Sequence, residues 1–460
     1  MWHVGHPFIY MPSVAQSRSL FFFLRLLANS YTYGMNKLLN HDRAIEIMER
    51  ENLDGLIAQL PINSYYMSNY WGLFNTAVGY DGSYFALLPR DPAAPPALIV
   101  PALEIRRLET EKSKNAGTWI ENVYAYSGPL DEMHDAVAAD AFADGTPRGH
   151  DYSGWPIAEG GSNEPLEQQW QAVTDQLGTR MSPNAFWALS RAIKAAGLEQ
   201  GRIGADDSRT AGWLNECGLE QLDVSYRPQL FNEIRLVKTD AEIEILRRAA
   251  HINEMSLLVA ADSMRIGSTW EEIEDMYMMT MAQQGGRGVY LMCGVGELPA
   301  GRIRVDEPVF FDGLGQYRHY HGDFGRCAVV GEITSEQRKR HAHLLAGWEE
   351  AQSLLGPGIS YSELSAKVGN AVRQAGLHNF RNPVVHSVGL EHTDDPKPFG
   401  VQPQTKPDQI LQPNMIVNID MPHSEIGWGS LHMEDTVRIT TYGYERLSET
   451  DMSIRVAGAE

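Results

Sequence analysis

The stretch Val309-Phe-Phe-Asp312-Gly-Leu-Gly-Gln-Tyr-Arg-His-Tyr-His-Gly-Asp323 decides how the rest of the chain is read. It has the form of a strand, a glycine-containing turn and a returning strand, with one acid on each arm. In such a hairpin the two carboxylates can face one another and share cations, because carboxylate oxygens suit hard or borderline divalent metals. Taken alone, two acids eleven residues apart flanking a hairpin, as Asp312 and Asp323 are, are more often turn or surface acids. Three further segments change that balance.

Val384-Val-His386-Ser-Val-Gly-Leu390 is an apolar run broken by an imidazole, a pattern also shown by core histidines bonded to backbone. Met415-Ile-Val-Asn-Ile-Asp420 is a strand-like run ending in an acid, and Leu431-His-Met-Glu434-Asp-Thr-Val-Arg-Ile439 places an acid among apolar neighbours. An acid inside an apolar strand costs several kcal/mol unless it is paired or bound to metal. Glu434 therefore asks for a partner.

Toward the N-terminus, Ile45, Ile47 and Met48 give a helical pattern that leads into the apolar stretch from Gly55 to Leu60, with a turn expected at Pro61 to Ser64. Strand-like runs at Tyr84 to Leu88 and Ala97 to Val100 continue an alternating α/β order. Residues 141 to 166, poor in large apolar side chains, predict an extended surface loop. Strand-like runs resume near Ile203 and Val224, and this first α/β domain is expected to close near Phe231.

Beyond it, Thr239 with Glu242, Thr269 with Glu272 and Ser360 with Glu363 predict three capping boxes, in which a hydroxyl and an acid satisfy each other's end amides. Gly267-Ser-Thr-Trp-Glu-Glu-Ile273 and Gly358-Ile-Ser-Tyr-Ser-Glu-Leu364 resemble one another, and each opens a helix expected to stop at a glycine, Gly285 or Gly376. A duplicated half-domain follows as an expectation. The division is a poorly packed extension at 1–34, an α/β domain at 35–231 and a catalytic domain at 232–460.

With 460 residues, 43% of them hydrophobic, the chain has material for two ordinary domains. A balance of 38 basic against 59 acidic residues disfavours nucleic acid and anionic membranes as partners. A small solute, or a second copy of the chain, is the expected partner. Cys217, Cys293 and Cys327 are too scattered for a disulfide framework, which points to a reducing, cytoplasmic setting. The apolar run Leu20 to Ala28 is interrupted by Arg25 and falls well short of the roughly 20 residues of a spanning helix. Following Arg18 it imitates a weak signal peptide, without a clear cleavage site before Tyr31. Walker A, HExxH and G-x-S-x-G patterns are absent from the sequence.

In order, Asp312, Asp323, His386, Asp420 and Glu434 resemble the ligand set of the methionine aminopeptidase, aminopeptidase P, prolidase and creatinase superfamily. Asn232 to Ala250 is similar to that superfamily's helix leading into the catalytic domain, and Gly55 to Tyr70 to a segment of its prolidase and creatinase branches. The resemblance implies a pita-bread catalytic domain, with duplicated halves around a curved antiparallel sheet. It also implies two divalent ions, manganese, iron, zinc or cobalt, that acidify a shared water and polarise a carbonyl. His386 would bind one ion, Asp323 and Glu434 would bridge, and Asp312 and Asp420 would complete the shell. A homodimer is implied as well, with Tyr66, Tyr70 and Trp71 either facing substrate or buried in the first domain.

The sequence also departs from the peptidase pattern. Asp420-Met-Pro422 stands where the family usually has Glu-Pro-Gly, which shortens one ligand arm by a methylene. The turn Gly294 to Gly301 lacks the substrate-binding histidine of peptidases, and a second family histidine aligns on Thr393, beside His392 and Asp394. His319 and His321 are candidate replacements. The implied activity is hydrolysis of a C–N bond in a small Xaa-Pro-type or amidino substrate by metal-held hydroxide. Alternatives are a lyase resembling dimethylsulfoniopropionate lyase, with His392 or Asp394 as base, and a binding protein without catalysis. Against that lyase, the extra Asp associated with it is Leu314 here.

Overall fold

The structure is a computed structural model that describes residues 37–77, 84–113, 117–126, 141–161, 164–294, 301–396 and 407–457. The expected extension at 1–34, with its apolar run, lies outside the described residues, as do residues 295–300 of the histidine-free turn.

The first domain is a six-stranded mixed sheet built from β1 (Gly55–Ala58), β2 (Phe85–Pro89), β3 (Ala97–Pro101), β4 (Asn122–Tyr126), β5 (Arg202–Ala205) and β6 (Asp223–Tyr226). Its order is β4-β3-β2-β1-β5-β6. Central strands β1 and β2 are buried along their whole length, which is why they read as unbroken apolar runs rather than alternating ones. The turn expected at Pro61 to Ser64 is instead the start of a helix, Pro61–Ser68. Pro61 occupies the first helical position, where its missing N–H costs nothing. Asp206, just past β5, accepts from Gln59 N, Leu60 N and Asn63 Nδ2 and so ties the start of that helix to β5.

The second domain repeats one plan twice. Helices Asp240–Ser263 and Trp270–Gln283 precede β7 (Arg287–Gly294), β8 (Val309–Tyr317) and β9 (Tyr320–Val330); helices Ser335–Leu354 and Tyr361–Ala375 precede β10 (Val384–Ser387), β11 (Ile416–Glu425) and β12 (Gly429–Thr440). The sheet order β10-β11-β12-β9-β8-β7 joins the two meanders through their last strands, as expected of duplicated halves. Two short strands extend it, β13 (Gly443–Arg446) on β12 and β14 (Arg455–Ala457) on β9. Each half packs its helices on its own strands: Ile273, Tyr277 and Met281 on Leu291, Phe311 and Phe324 in the first, Trp348, Leu364 and Val368 on Val417, Ile419 and Met433 in the second.

Capping boxes form at Thr239/Glu242 and Thr269/Glu272. At the third site Ser360 accepts from the Glu363 amide, but the Glu363 side chain pairs with Lys367 instead of closing the box. A further box, Thr334/Gln337, opens the helix Ser335–Leu354. Gly285 and Gly376 terminate their helices at positive φ, 79° and 126°.

Candidate metal centre

Strand register assembles the site. Antiparallel partners project to the same face, and along each strand that face recurs every second residue. Asp312 pairs with Gly325, Gly325 with Glu434, Glu434 with Asp420, and Asp420 with Val384, so three acids from two hairpins fall in one row across the sheet. One step along, Leu314 pairs with Asp323 and Asn418 with His386, bringing the fourth acid and the imidazole beside that row. Gly325, at the centre of the first row, leaves room for its neighbours. A Cβ there would lie 2.3 Å from His432 Cε1 and 2.6 Å from Glu434 Oε2.

The glycines of the opening stretch do not make its turn. Gly313 and Gly315 lie inside β8 on the opposite face, where added Cβ atoms would meet Leu257 and Tyr277, or Met281 and the Tyr277 hydroxyl. The turn is Arg318-His319, both at positive φ (49° and 70°), the geometry of a tight hairpin turn.

Three overlapping groups of side chains can each converge on a cation: Asp312, Asp323 and Glu434; Asp420, His432 and Glu434; and Asp323, His386 and His392, with donor atoms of each group within 4.8 Å of one another. Asp323 and Glu434 are each shared by two groups. Asp312 Oδ1, Asp323 Oδ1 and Glu434 Oε2 are buried without a hydrogen-bond partner among the described residues. Buried carboxylate oxygens with nothing to accept from are costly, and a divalent cation satisfies them. His386 Nδ1 lies 3.2 Å from the Ser387 carbonyl, which assigns the proton to that nitrogen and leaves Nε2, 3.6 Å from Asp323 Oδ2, as the lone-pair donor. These residues fit a divalent metal.

The electrostatics agree. Burial, with Asp323, Asp312 and Asp420 nearby, drives the Glu434 carboxyl well above its ordinary range. Burial also pushes Asp312 up to about 7, with His432 opposing and Asp323 and Asp420 adding to the rise. Asp323 goes the other way: burial raises it, but His392 and His386 outweigh that and hold it low. His392 Nε2 sits 3.1 Å from Asp323 Oδ2; burial lowers that imidazole, and the surrounding carboxylates more than reverse it. Behind the row, buried Arg326 donates to the carbonyls of Gly325 and Glu434 and to Asp435 Oδ1, at 2.8, 2.6 and 2.8 Å, and pins β9 to β12.

The structure thus brings together Asp312, Asp323, His386, Asp420, Glu434 and His392. The other three candidates go elsewhere. Asp394 is held in ion pairs away from the centre: one oxygen accepts from Arg235 Nε and Nη2 at 2.9 and 2.7 Å and the other from Lys238 Nζ at 3.0 Å, in a buried cluster tied through Arg235 to Asn63 of the first domain. His319 stacks on Trp71 with ring centroids 3.8 Å apart, at the hairpin turn, and burial lowers it to about 4. His321 lies on the same face as Asp323, but its Nδ1 faces the Gly389 carbonyl (3.2 Å) and its Nε2 the Gln316 amide (2.8 Å). Tyr66 and Tyr70 are buried, bonded to the Asn40 amide and to Glu104, while Trp71 stays half-exposed. Sequence reasoning passed over His432 and Asn418, although their two-residue spacing from Glu434 and Asp420 already placed them on the ligand face.

Residues 244–441 match the metallopeptidase family M24, and residues 41–151 match the creatinase/prolidase N-terminal domain. The chain is 25% identical over 282 residues to a Xaa-Pro dipeptidase of Pyrococcus horikoshii, covering 58% of this chain and 77% of that protein. It is 26% identical over 236 residues to a Xaa-Pro dipeptidase of Pyrococcus furiosus, covering 49% and 66%. Among solved structures, a Xaa-Pro dipeptidase from Bacillus anthracis superposes with a TM-score of 0.64 at 16% identity, over 90% of this chain and 98% of that one. The prolidase of Pyrococcus horikoshii superposes with a TM-score of 0.60 at 19% identity, over 90% and 99%.

Proposed function

Because the chain belongs to the creatinase, prolidase and aminopeptidase P superfamily of M24 metalloenzymes, we propose that it hydrolyses the C–N bond of a small Xaa-Pro-type substrate at a dinuclear centre. The observation that carries this reading is the cluster of buried carboxylate oxygens on Asp312, Asp323 and Glu434 without a hydrogen-bond partner among the described residues, with Asp420 and His386 beside them. Asp323 and Glu434, each common to two of the ligand groups, would be the residues shared between the two ions. Two divalent ions held there would acidify a water and polarise the scissile carbonyl.

The protein's own side chains supply the rest. His392 stands at the rim, its side chain 40% exposed and its Nε2 3.1 Å from Asp323 Oδ2. It is positioned to hydrogen-bond a substrate oxygen and to give a proton to the departing nitrogen. Asn418 Nδ2 donates to Glu434 Oε1 at 2.9 Å and fixes which carboxylate oxygen faces the centre. The same proposal includes a homodimer, on the strength of the family resemblance, and sedimentation velocity decides it.

The test is to strip the protein with chelator, reload it with manganese, iron, zinc or cobalt, and assay Xaa-Pro dipeptides and creatine. Metal-dependent cleavage is expected, with activity and metal content both lost in Asp312→Ala. Release of acrylate from dimethylsulfoniopropionate would overturn the hydrolase reading. Metal uptake with no turnover of any substrate would leave a binding protein.

A further inference from the structure

We propose that His432 is an additional metal ligand, reaching through Nε2 into the half of the centre formed by Asp420 and Glu434 and making good the arm shortened at Asp420. The inference rests on the metal centre proposed above and concerns a residue outside the family's five-ligand pattern. Three independent features of the structure carry it.

First, His432 lies two residues before Glu434 on β12, on the same face, and pairs in register with Pro422, two residues past Asp420. Its side chain is thereby aimed at Asp420, at the end of the carboxylate row. Second, the ring is oriented as metal-bound imidazoles are. Nδ1 lies 3.0 Å from the Phe311 carbonyl, an acceptor, so that nitrogen keeps a proton and Nε2 is the nitrogen turned inward. Nε2 is 2.6 Å from Asp420 Oδ1, a hydrogen bond whose proton a bound cation would displace to solvent, and 3.6 Å from Glu434 Oε2, one of the unpartnered oxygens. Third, the space for the ring is built in. Gly325 sits beneath it, and any side chain there would collide with the imidazole and with Glu434.

The chemistry is complementary. Two carboxylates and one imidazole form a mixed oxygen and nitrogen set suited to zinc, iron, cobalt or manganese. The short Asp420 arm alone would leave that ion with a weaker grip. An imidazole entering from the neighbouring row restores a donor without lengthening the acid.

Isothermal titration with cobalt and with manganese reads the effect directly. Wild-type protein is expected to bind ions at both halves, and His432→Ala to hold one of them about 10- to 100-fold more weakly, the range typical of an orienting or ligating contact. Asp420→Glu placed in the His432→Ala background is expected to recover part of that loss, because the longer arm replaces the lost reach. Proton NMR of the cobalt-loaded protein gives a second readout. Hyperfine-shifted, slowly exchanging ring N–H signals are expected from His386 and His432 in the His392→Ala protein, so the measurement stands even where His432→Ala fails to fold. A single such signal, or a His432→Ala protein with unchanged affinities at both halves, overturns the inference. A wild-type protein that takes up neither metal refutes instead the centre on which it rests.

Discussion

Replacing Asp394 with Asn separates two roles that the sequence left open for this residue, catalytic base or structural anion. Asp394 is fully buried and is the shared anion for two buried cations, Arg235 and Lys238, each 1% exposed. Neutralising it leaves those cations with Glu391, whose side chain is 38% exposed, and with the more distant Glu242. Breaking a buried ion pair by removing one partner costs about 3–5 kcal/mol. Asn keeps one acceptor oxygen, so the low end of that range applies. It also turns an amide donor toward Arg235 or Lys238.

For a domain of this size about 3 kcal/mol lowers the melting temperature by roughly 6–12 °C. Thermal unfolding by circular dichroism, at pH 7 and with metal bound, is the assay, paired with kcat at a temperature where both proteins are folded. The expected result is a large loss of stability with kcat changed less than about tenfold. The pH dependence supplies a sign check. Burial raises the Asp394 carboxyl, but Arg235 and Lys238 outweigh it and hold it below its ordinary value. Its stabilising contribution is therefore present above the unfolded carboxylate range and lost as pH falls through the folded value, a loss the Asn variant would not show. A kcat that collapses while the melting temperature stays put would refute this account and return Asp394 to the role of base.

Other outcomes follow from the centre itself. Glu434→Gln removes the carboxylate common to two of the ligand groups, so metal-induced stabilisation should disappear while the metal-free protein keeps its fold; differential scanning calorimetry with and without chelator reads both. Asp312, Asp206 and Glu242 are each raised, chiefly by burial, to about 7. Raised acids stabilise fully below their unfolded values near pH 4 and lose that contribution as pH climbs through about 7. Urea midpoints of the metal-free protein should therefore fall between pH 5 and pH 8, and metal should remove the Asp312 share while leaving that of Asp206 and Glu242. Gly325→Ala should weaken metal binding about 10- to 100-fold by displacing His432 and Glu434, measured by titration; unchanged affinity would show that the ring and carboxylate need not occupy that space. His319→Phe keeps the stack on Trp71 and should leave kcat within about twofold, whereas His319→Ala should cost roughly 0.5–1.5 kcal/mol of stability.

Much of this protein was legible before any coordinates. Acids set in apolar strands at Asp420 and Glu434, and on the two arms of a hairpin at Asp312 and Asp323, together point to a cation because burial of bare carboxylates is too costly. The hydroxyl and acid pairs at Thr239 and Thr269 mark helix starts because capping is a local event within four residues. Side-chain alternation along β12 already puts His432 on the ligand face with Glu434.

What the sequence could not determine is which residues of distant strands stand opposite one another. The row Asp312, Gly325, Glu434, Asp420 is drawn from four strands, and only their pairing shows that Gly325 is the gap that His432 and Glu434 fill. The same holds for Gly313 and Gly315, which look like turn residues locally but are small because helix residues Leu257, Tyr277 and Met281 press on the strand. Asp394 sits close in sequence to His392 and reads as a catalytic neighbour. Its true partners, Arg235 and Lys238, lie 159 and 156 residues away, and charge pairing over that separation is decided by tertiary packing rather than by any local pattern.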